Sequence, residues 1–272
     1  MELQGRTAVI TGAASGIGLA LAERCLAEGM SVVMADIEAD KVAVEAEQLD
    51  AGDGRVIHVA CDVGDPDQIE ALKDRVLERF GRVHLLCNNA GVAIGRPNHK
   101  TRAAVWRWIV DVNLLGVAYG VSAFAPLMVE QGAGHIVNTA SEAGLAATPM
   151  LGAYHATKYA VVGLSESLAM ELEGTGVGVS CLCPELVDTK IFESTRNAPA
   201  HLRMKPPVPV DMRNIEKWMN TVAMPPADVA ADVVYAVRAN RFWIITHQVT
   251  QDRIRRRNAD IEAGRRPRMP AA

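Results

Sequence analysis

Aromatic side chains are scarce in this sequence, because phenylalanine, tryptophan and tyrosine together make up 4% of its 272 residues. The hydrophobic fraction is nevertheless 49%, so alanine, valine, leucine and isoleucine must fill most of the core. Small and aliphatic side chains suit helices that pack closely on a buried parallel sheet. The composition therefore favours an α/β fold.

Features that indicate a membrane, nucleic-acid or metal-binding protein are also lacking. No continuous apolar run reaches the roughly 18 residues that a membrane span needs, so we expect no membrane association. A formal net charge of −4 gives no indication of a nucleic-acid partner. The 7 histidines show no ligand spacing among themselves or with the cysteines. We therefore expect no metal.

Cysteine is present but forms no framework. The five cysteines are odd in number and scattered, at Cys25, Cys61, Cys87, Cys181 and Cys183. The first residues, MELQGRTAVITG, enter a predicted strand directly and lack the basic and apolar regions of a signal peptide. We expect reduced, buried thiols in a cytoplasmic protein.

Short β-branched segments alternate with longer helical segments along most of the chain. The predicted strands are residues 7–12, 31–36, 55–62, 83–91, 134–141, 178–184 and 242–247. The predicted helices are residues 16–29, 39–51, 65–80, 101–129 and 150–173. This alternation predicts an α/β protein with a single Rossmann-type, doubly wound parallel sheet of about seven strands and helices on both faces.

Two regions depart from this alternation inside and after the single domain predicted for residues 1–250. Residues 189–226 contain several prolines and four methionines, which predicts an irregular substrate lid with short helices. Residues 251–272 contain R-R-R and G-R-R-P-R. We interpret this basic segment as a mobile, solvated C-terminal tail in preference to a nucleic-acid-binding element.

The segment TGAASGIG, residues 11–18, lies where the first predicted strand gives way to a helix. Gly12 permits a tight turn, Gly16 allows close approach of a ligand to the backbone, and Gly18 allows close packing of helix on strand. The helix N-terminus offers free N–H groups to a pyrophosphate. Glycines also mark ordinary turns, but the position predicts a dinucleotide site.

An acidic residue, Asp36, ends the second predicted strand. A carboxylate there can accept hydrogen bonds from both adenosine ribose hydroxyls and would repel a 2′-phosphate. Ile37 and Ser15 occupy positions where a basic residue would favour NADP. The alternative is a simple turn or helix-capping aspartate. The position favours an NAD site.

The ends of the third and fourth predicted strands offer further cofactor contacts. Asp62 can bond the adenine amino group, although a capping role is nearly as plausible. Ala90 and Gly91 would let a cofactor pass close to the sheet, with Asn89 bonding the glycine loop or the ribose. A plain strand-to-loop turn explains the glycine but not the paired asparagines in N-N-A-G.

The segment Y-H-A-T-K places Tyr154 and Lys158 four residues apart in a predicted helix. Residues i and i+4 share one helix face, so the phenol and the ammonium point into the same space. The pair is either an ordinary surface contact or an acid–base device. The two residues alone do not decide between these alternatives.

Together, the segments TGAASGIG, CDV, NNAG, Ser141 and Y-x-x-x-K resemble the short-chain dehydrogenase/reductase family in order and separation. The resemblance covers about residues 5–190 and the last strand. It implies that Ser141 and Tyr154 bind the substrate oxygen and that Lys158 holds the nicotinamide ribose. It also implies that Asn113, in V-N-L-L-G, holds a water that links Lys158 to solvent.

The implied chemistry is hydride transfer between an alcohol and NAD, with Tyr154 as general acid and base. A free phenol has a pKa near 10. A nearby ammonium and the positive nicotinamide ring would lower that pKa, and Ser141 would stabilise charge on the same oxygen. The cofactor contacts predicted here are Gly12, Ser15, Gly16, Ile17, Gly18, Asp36, Ile37, Asp62, Val63, Asn89, Ala90, Gly91, Tyr154, Lys158, Pro184, Val187 and Thr189.

One position departs from the family pattern. The family usually has P-G-x-V-x-T after the sixth strand, whereas this chain has P-E-L-V-D-T at residues 184–189. Pro184, Val187 and Thr189 match the pattern, and Glu185 replaces the glycine. The glutamate can contact substrate or point into solvent, and the sequence leaves both alternatives open.

The substrate class follows from the lid. Phe192, Leu202, Met204 and Met212 would line an adaptable apolar pocket, which predicts a bulky apolar or aromatic secondary alcohol and its ketone. Lid and tail loosely resemble dehydrogenases of lignin-derived benzylic alcohols, and hydroxysteroids are equally compatible. The family's interfaces, formed by the helices that correspond to 101–129 and 150–173, imply a homodimer or homotetramer.

Rival functions remain on the same fold. A non-catalytic NAD(H)-binding sensor or scaffold is one, but Ser141, Tyr154 and Lys158 are all present. Epimerases and dehydratases of the wider superfamily usually carry a longer C-terminal substrate domain. Enoyl reductases usually space the tyrosine and lysine more widely. The pattern therefore favours an NAD-dependent alcohol dehydrogenase.

Overall fold

The computed structural model describes residues 1–202 and 223–268. The strands are β1 (Thr7–Thr11), β2 (Ser31–Asp36), β3 (Val56–Ala60), β4 (Leu85–Asn88), β5 (Gly134–Thr139), β6 (Val177–Cys183) and β7 (Trp243–Ile245). The helices are α1 (Gly16–Ala27), α2 (Ala39–Leu49), α3 (Pro66–Phe80), α4 (Ala103–Val110), α5 (Gly116–Gln131), α6 (Gly152–Glu171), α7 (Pro226–Ala239) and α8 (Gln248–Glu262).

The seven strands form one parallel sheet in the order β3-β2-β1-β4-β5-β6-β7. Alternate residues of β1 face opposite sides of it: Ile10 packs with Leu21 and Val233, whereas Val9 packs with Phe124. Helices therefore cover both faces, and the predicted doubly wound α/β fold is confirmed. The strand order changes direction between β1 and β4, where such folds place their ligands.

Helices α4 and α5 are joined by a π-helical turn, Asp111–Leu115, into one helical segment. By length and composition this segment, Ala103–Gln131, is long and apolar enough to cross a membrane. The sequence patterns predicted no segment of this kind. Phe124 and Met128 on α5 are buried in the core beside the sheet. The segment is a core helix of this fold.

The C-terminal region differs from the sequence expectation. Residues 251–272 were expected to form a mobile tail, yet Gln248–Glu262 form helix α8. Helix α7, which the sequence analysis did not predict, begins at a Pro-Pro pair whose second proline occupies the first helical turn, where it fits well. In the lid, Lys190–Asn197 and Ala200–Leu202 form the expected short helical turns.

A chain of buried polar side chains runs along one face of the sheet, from β4 to β5 and on to α6. Asn88 Nδ2 donates to Asn138 Oδ1 at 2.9 Å, and Asn138 Nδ2 donates to Ser165 Oγ at 3.1 Å. Ser165 Oγ in turn donates to Val161 O at 2.7 Å. Gly120 on α5 lies against Asn88 so closely that a Cβ would collide with the amide of Asn88. The glycine therefore lets α5 approach the sheet.

Replacing Gly120 by alanine should destabilise the fold by roughly 1–3 kcal/mol, because the added methyl group forces α5 away from Asn88. At an exposed helical site the same change would raise the free energy of unfolding by about 1 kcal/mol. The sign of the measured change therefore distinguishes the two environments. Urea unfolding followed by circular dichroism measures the effect. Ser122→Ala on the exposed side of α5 is the control and should stay within about 0.5 kcal/mol. A stabilised Gly120→Ala protein would contradict this packing.

Candidate active site

A cleft with a volume of about 460 Å³ opens at the carboxyl ends of the strands. All the predicted cofactor-binding residues except Gly18 line it, and so does Ser141. Asn113, the fourth predicted catalytic residue, lies outside this lining. The fold thus brings the sequence-predicted residues together in one place.

The glycine loop between β1 and α1 has the geometry of a phosphate cradle. Gly12 has φ +67°, and a Cβ on it would lie 2.8 Å from Ala90 Cα. A Cβ on Gly18 would collide with Gly12 O. Helix α1 begins at Gly16 behind Ser15, whose side chain makes no capping hydrogen bond. The first N–H groups of α1 therefore fit a pyrophosphate.

Asn89 holds this loop to β4. Its Nδ2 donates to Thr11 O at 3.0 Å, while the backbone N–H groups of Asn89 and Ala90 donate to Thr11 Oγ1 at 3.0 and 3.1 Å. Of the two roles considered for Asn89, the structure shows the contact with the loop. The paired asparagines make different contacts, because Asn88 bonds Asn138 in the core whereas Asn89 bonds the glycine loop.

Asp36 is fixed at the end of β2 by two backbone groups. Its Oδ2 accepts from Ala14 N and its Oδ1 accepts from Glu38 N, both at 2.9 Å. A carboxylate has about four lone-pair sites, so two remain for ribose hydroxyls. Arg196 from the lid also lines the cleft and pairs with Glu38 at 3.1 Å. The sequence patterns did not predict this contact between Arg196 and Glu38.

Asp62 and Thr189 complete the cofactor side of the cleft. Asp62 Oδ1 accepts from Gly64 N at 2.9 Å, so its turn-forming role is present, and an adenine contact stays a prediction. A Cβ on Gly16 would lie 2.9 Å from Thr189 Cγ2. The start of the lid therefore lies directly against the glycine loop.

Tyr154 and Lys158 share one face of α6, as their spacing predicts. Lys158 Nζ lies 5.6 Å from the centroid of the Tyr154 ring and donates to Thr139 O at 2.7 Å. Lys158 is buried, with 2% of its surface exposed, and burial lowers its pKa to about 8. Below that pH the site contains a buried ammonium.

The pKa of Tyr154 is raised in the chain alone, because burial outweighs the opposing effect of a hydrogen bond with Ser141. The lowering expected from the sequence needs the positive nicotinamide ring as well as the ammonium, and this joint effect stays a prediction. Lys158 lies over the face of the Tyr154 ring. The lysine alone therefore does not turn this phenol into a base.

Ser141 follows β5 and is buried. Its Oγ accepts from Ala143 N at 3.0 Å and lies 3.3 Å from Pro184 O, to which it donates. The serine thus joins the end of β5 to the end of β6. Ser141 and Tyr154, two of the predicted catalytic groups, both line the cleft.

Asn113 lies in the π-helical turn and is fully buried. Its Oδ1 accepts from Val92 N at 2.8 Å, and its Nδ2 donates to Val92 O at 2.9 Å and Thr157 Oγ1 at 3.2 Å. The side chain therefore ties the strand β4 loop to α6. A Cβ on Gly91 would lie 3.5 Å from Asn113 Oδ1 and 3.6 Å from Lys158 Nζ. The water that the resemblance implies stays a prediction.

His155 also lines the cleft, and the sequence patterns did not predict it. Its Nδ1 lies 2.7 Å from Ala143 O, and its Nε2 accepts from Thr148 N at 2.9 Å. The ring thereby fixes the loop that follows Ser141. Its place directly after the tyrosine was the available signal, but a ring that bridges two backbone groups has no distinctive sequence pattern.

One part of the cleft lining is largely apolar. It is formed by Val92, Trp108, Val112, Leu151, Leu186 and Phe192. Leu202, expected in this pocket, is buried in the adjoining cluster with Trp108 and Ile109 and lies outside the lining. Met204 and Met212 lie outside the described residues. Within the described residues, no group of histidine, cysteine or acidic side chains is arranged for a metal ion.

The comparisons with known proteins agree with this geometry. A family model described as short chain dehydrogenase matches residues 6–200. This chain is a short-chain dehydrogenase/reductase. A crystal structure of a short-chain dehydrogenase/reductase from Burkholderia phymatum in complex with NAD superposes with a TM-score of 0.94. It is 42% identical, and the match covers 100% of this chain and 99% of that one.

Two curated relatives of this short-chain dehydrogenase/reductase have named activities. The 1-deoxy-11-beta-hydroxypentalenate dehydrogenase of Streptomyces exfoliatus is 39% identical over 71% of each chain. The 3beta-hydroxysteroid dehydrogenase 2 of Eggerthella lenta is 37% identical over 70% of this chain and 74% of its own. The family resemblance is thereby confirmed, and the chain belongs to a family of oxidoreductases.

Lys158→Met should raise the free energy of unfolding at pH 7 by roughly 2 kcal/mol. Lowering the lysine pKa from 10.5 to about 8 corresponds to roughly 3 kcal/mol, of which the lost hydrogen bond to Thr139 offsets about 1 kcal/mol. Between pH 8 and 10.5, Lys158 is protonated in the unfolded wild type but deprotonated in the folded one. The free energy of unfolding of the wild type therefore rises with pH in that window, and its difference from that of Lys158→Met becomes smaller. Urea unfolding at pH 7 and above pH 9 measures this. A variant less stable than wild type at pH 7 would refute the cost of burying Lys158.

Proposed function

We propose that this short-chain dehydrogenase/reductase interconverts a secondary alcohol and a ketone, with NAD as cofactor and Tyr154 as the general acid and base. One observation carries the proposal. Ser141, Tyr154 and Lys158 meet on the wall of the same cleft that the glycine loop and Asp36 line. Hydride transfer needs these two halves in one cavity.

The residues present fit NAD. The glycine cradle and the uncapped start of α1 suit the pyrophosphate, and Asp36 retains acceptor sites for ribose hydroxyls. Lys158 would hold the nicotinamide ribose, while Val187 and Thr189 would contact the carboxamide. The bound cofactor supplies a hydride acceptor and, when oxidised, a positive ring. The Burkholderia structure was solved with NAD, which supports this choice.

The proton is handled by groups of the chain itself. Tyr154 Oη takes the proton of the alcohol during oxidation and returns one during reduction. Ser141 Oγ hydrogen-bonds the same substrate oxygen and stabilises its developing charge. Lys158 is an ammonium below pH about 8, and its charge adds to that of an oxidised nicotinamide in favouring phenolate. Asn113 would position a water between Lys158 and solvent.

The substrate is proposed to be a bulky apolar or aromatic secondary alcohol. Val92, Trp108, Leu151 and Phe192 give the cleft an apolar wall beside the catalytic groups. Among the curated relatives, the two described above have names that give a large hydroxylated substrate. These names support the class of substrate and leave its identity to experiment.

We further propose a homo-oligomer, either a dimer or a tetramer. Val129 on α5 and Met170 on α6 are exposed, the latter over 71% of its surface. Exposed apolar side chains on these helices support an interface there.

A non-catalytic NAD(H)-binding sensor on the same fold is the alternative function, and it would bind cofactor without turning over any alcohol.

Asp36→Ser should weaken NADH binding about tenfold, because two charge-assisted hydrogen bonds to the ribose are replaced by weaker ones. Binding of NADPH should change little or improve, since the repulsion of a 2′-phosphate disappears. Fluorescence titration of both cofactors gives the ratio. An unchanged preference for NADH over NADPH would show that Asp36 does not read the ribose.

Tyr154→Phe should lower kcat for alcohol oxidation by at least about 100-fold, because the proton acceptor is lost while the apolar ring remains. The assay follows NADH formation across aryl, steroid and aliphatic secondary alcohols, with NAD⁺ and NADP⁺ in parallel. Cofactor affinity, measured by fluorescence, serves as the control and should fall far less than kcat, because Tyr154 is only one of many predicted cofactor contacts. Full activity in the variant would exclude Tyr154 as the base, and tight NADH binding without any turnover by the wild type would favour the sensor.

A further inference from the structure

Glu185, which stands where the family pattern has glycine, makes a specific contact in the structure. Its Oε1 accepts from Arg253 Nη1 at 2.6 Å. The same nitrogen also donates to Glu142 Oε1 and Oε2 at 2.6 and 2.7 Å. One guanidinium nitrogen from the C-terminal helix thus joins two glutamates that line the catalytic cleft.

These two glutamates belong to the segments that carry the predicted catalytic machinery. Glu142 directly follows Ser141, and Glu185 directly follows Pro184. Pro184 O accepts hydrogen bonds from both Ser141 Oγ and Glu142 N. Arg253 therefore bridges, through side chains, the same two segments that the proline carbonyl joins through the backbone.

Helix α8 is held to the protein mainly by polar contacts. Within α8, all of which the structure describes, only Thr250 and Asp260 are buried. Thr250 Oγ1 donates to Glu142 Oε2 at 3.5 Å, and the Arg257 guanidinium lies 5.2 Å from the centroid of the Tyr159 ring. An apolar face does not explain the docking of this helix, whereas the bridge to the two glutamates does.

The positive charge of Arg253 offsets the negative charges of Glu142 and Glu185, both of which accept hydrogen bonds from it. Glu142 is buried, and that burial raises its pKa, while Arg253 opposes the rise. Without the guanidinium, two carboxylates would face each other at the end of the cleft and would repel when both are ionised. The segments of Ser141 and Pro184 would then separate or rearrange.

We propose that Arg253 is a positioning residue, and that its bridge to Glu142 and Glu185 holds Ser141 Oγ in place for hydride transfer. The proposal deepens the proposed function and rests on it, since Ser141 is taken there as the group that binds the substrate oxygen. The C-terminal helix is on this account a part of the active site and more than a structural appendage. The glutamate in place of glycine has a defined partner.

The test compares Arg253→Met with Arg255→Met. Arg255 is an exposed arginine on the same helix and pairs with Asp252, so it is a matched control. Hydrogen exchange of peptides covering residues 141–146 and 184–189 reports the bridge without any substrate. Exchange should increase in both peptides for Arg253→Met and in neither for Arg255→Met. Unchanged exchange in Arg253→Met overturns the proposal, whether or not an alcohol substrate has been found.

The kinetic readout uses the best alcohol of the panel and its carbon-deuterated form. In Arg253→Met, kcat should fall between about 10-fold and 100-fold, as for a group displaced by a fraction of an ångström to an ångström. The deuterium isotope effect on kcat should rise because hydride transfer becomes slower than product release, and NADH affinity should stay within about twofold. Looser segments with unchanged kcat and isotope effect would make Arg253 a purely structural residue and overturn the proposal.

Two further variants keep the test decisive if Arg253→Met folds poorly. All three carboxylate contacts use one nitrogen, so Arg253→Lys should recover much of the lost kcat. Glu185→Gly with Arg253→Met leaves one carboxylate in place of two and should be less impaired than Arg253→Met alone. Additive losses in that double variant would contradict the bridge. A wild type that turns over no alcohol refutes the proposed function, and the exchange data then decide the bridge independently.

Discussion

The buried ammonium of Lys158 is the electrostatic constraint around which the cleft is organised. Its Nζ donates to Thr139 O at 2.7 Å and lies over the face of the Tyr154 ring, and the residue is 2% exposed. A cation in such a place favours electron-rich neighbours, which a ribose hydroxyl and a phenolate both are. The same burial raises the pKa of Tyr154. We therefore expect that a second positive charge, the oxidised nicotinamide ring, is needed to favour the phenolate form of Tyr154.

The parallel sheet explains why the remaining groups meet at this point. Parallel strands present their carboxyl ends at one edge, so the glycine loop, Asn89, Ser141 and Pro184 arrive together although they are far apart in the sequence. Hydrogen bonds between these loops then fix them: Asn89 to the glycine loop, and Ser141 to Pro184. The site is thus a set of strand ends linked by polar side chains. The bridge through Arg253 extends that principle to the C-terminal helix.

Sequence patterns predicted the parts of the site that depend on local chemistry. Backbone geometry explains why glycines in a strand-to-helix turn predict a phosphate-binding loop. It also explains why a tyrosine and a lysine four residues apart share one helix face. Helix α8 escaped prediction because its docking depends on Arg253 and two glutamates that precede it by 111 and 68 residues. The raised pKa of Tyr154 in the chain without cofactor was not predicted for a related reason. Burial is a property of the packed structure, and a charged neighbour in the sequence does not reveal it.

We propose that Tyr154 becomes a base only when the oxidised cofactor is bound beside it. Ultraviolet difference spectroscopy of tyrosinate, recorded across pH with NAD⁺, with NADH and without cofactor, tests it directly and needs no substrate. The account predicts one tyrosine whose apparent pKa falls well below the usual value of about 10 with NAD⁺. It also predicts that the change disappears in Tyr154→Phe and is much smaller with NADH. A Tyr154 that stays protonated with NAD⁺ up to its usual pKa would contradict the account.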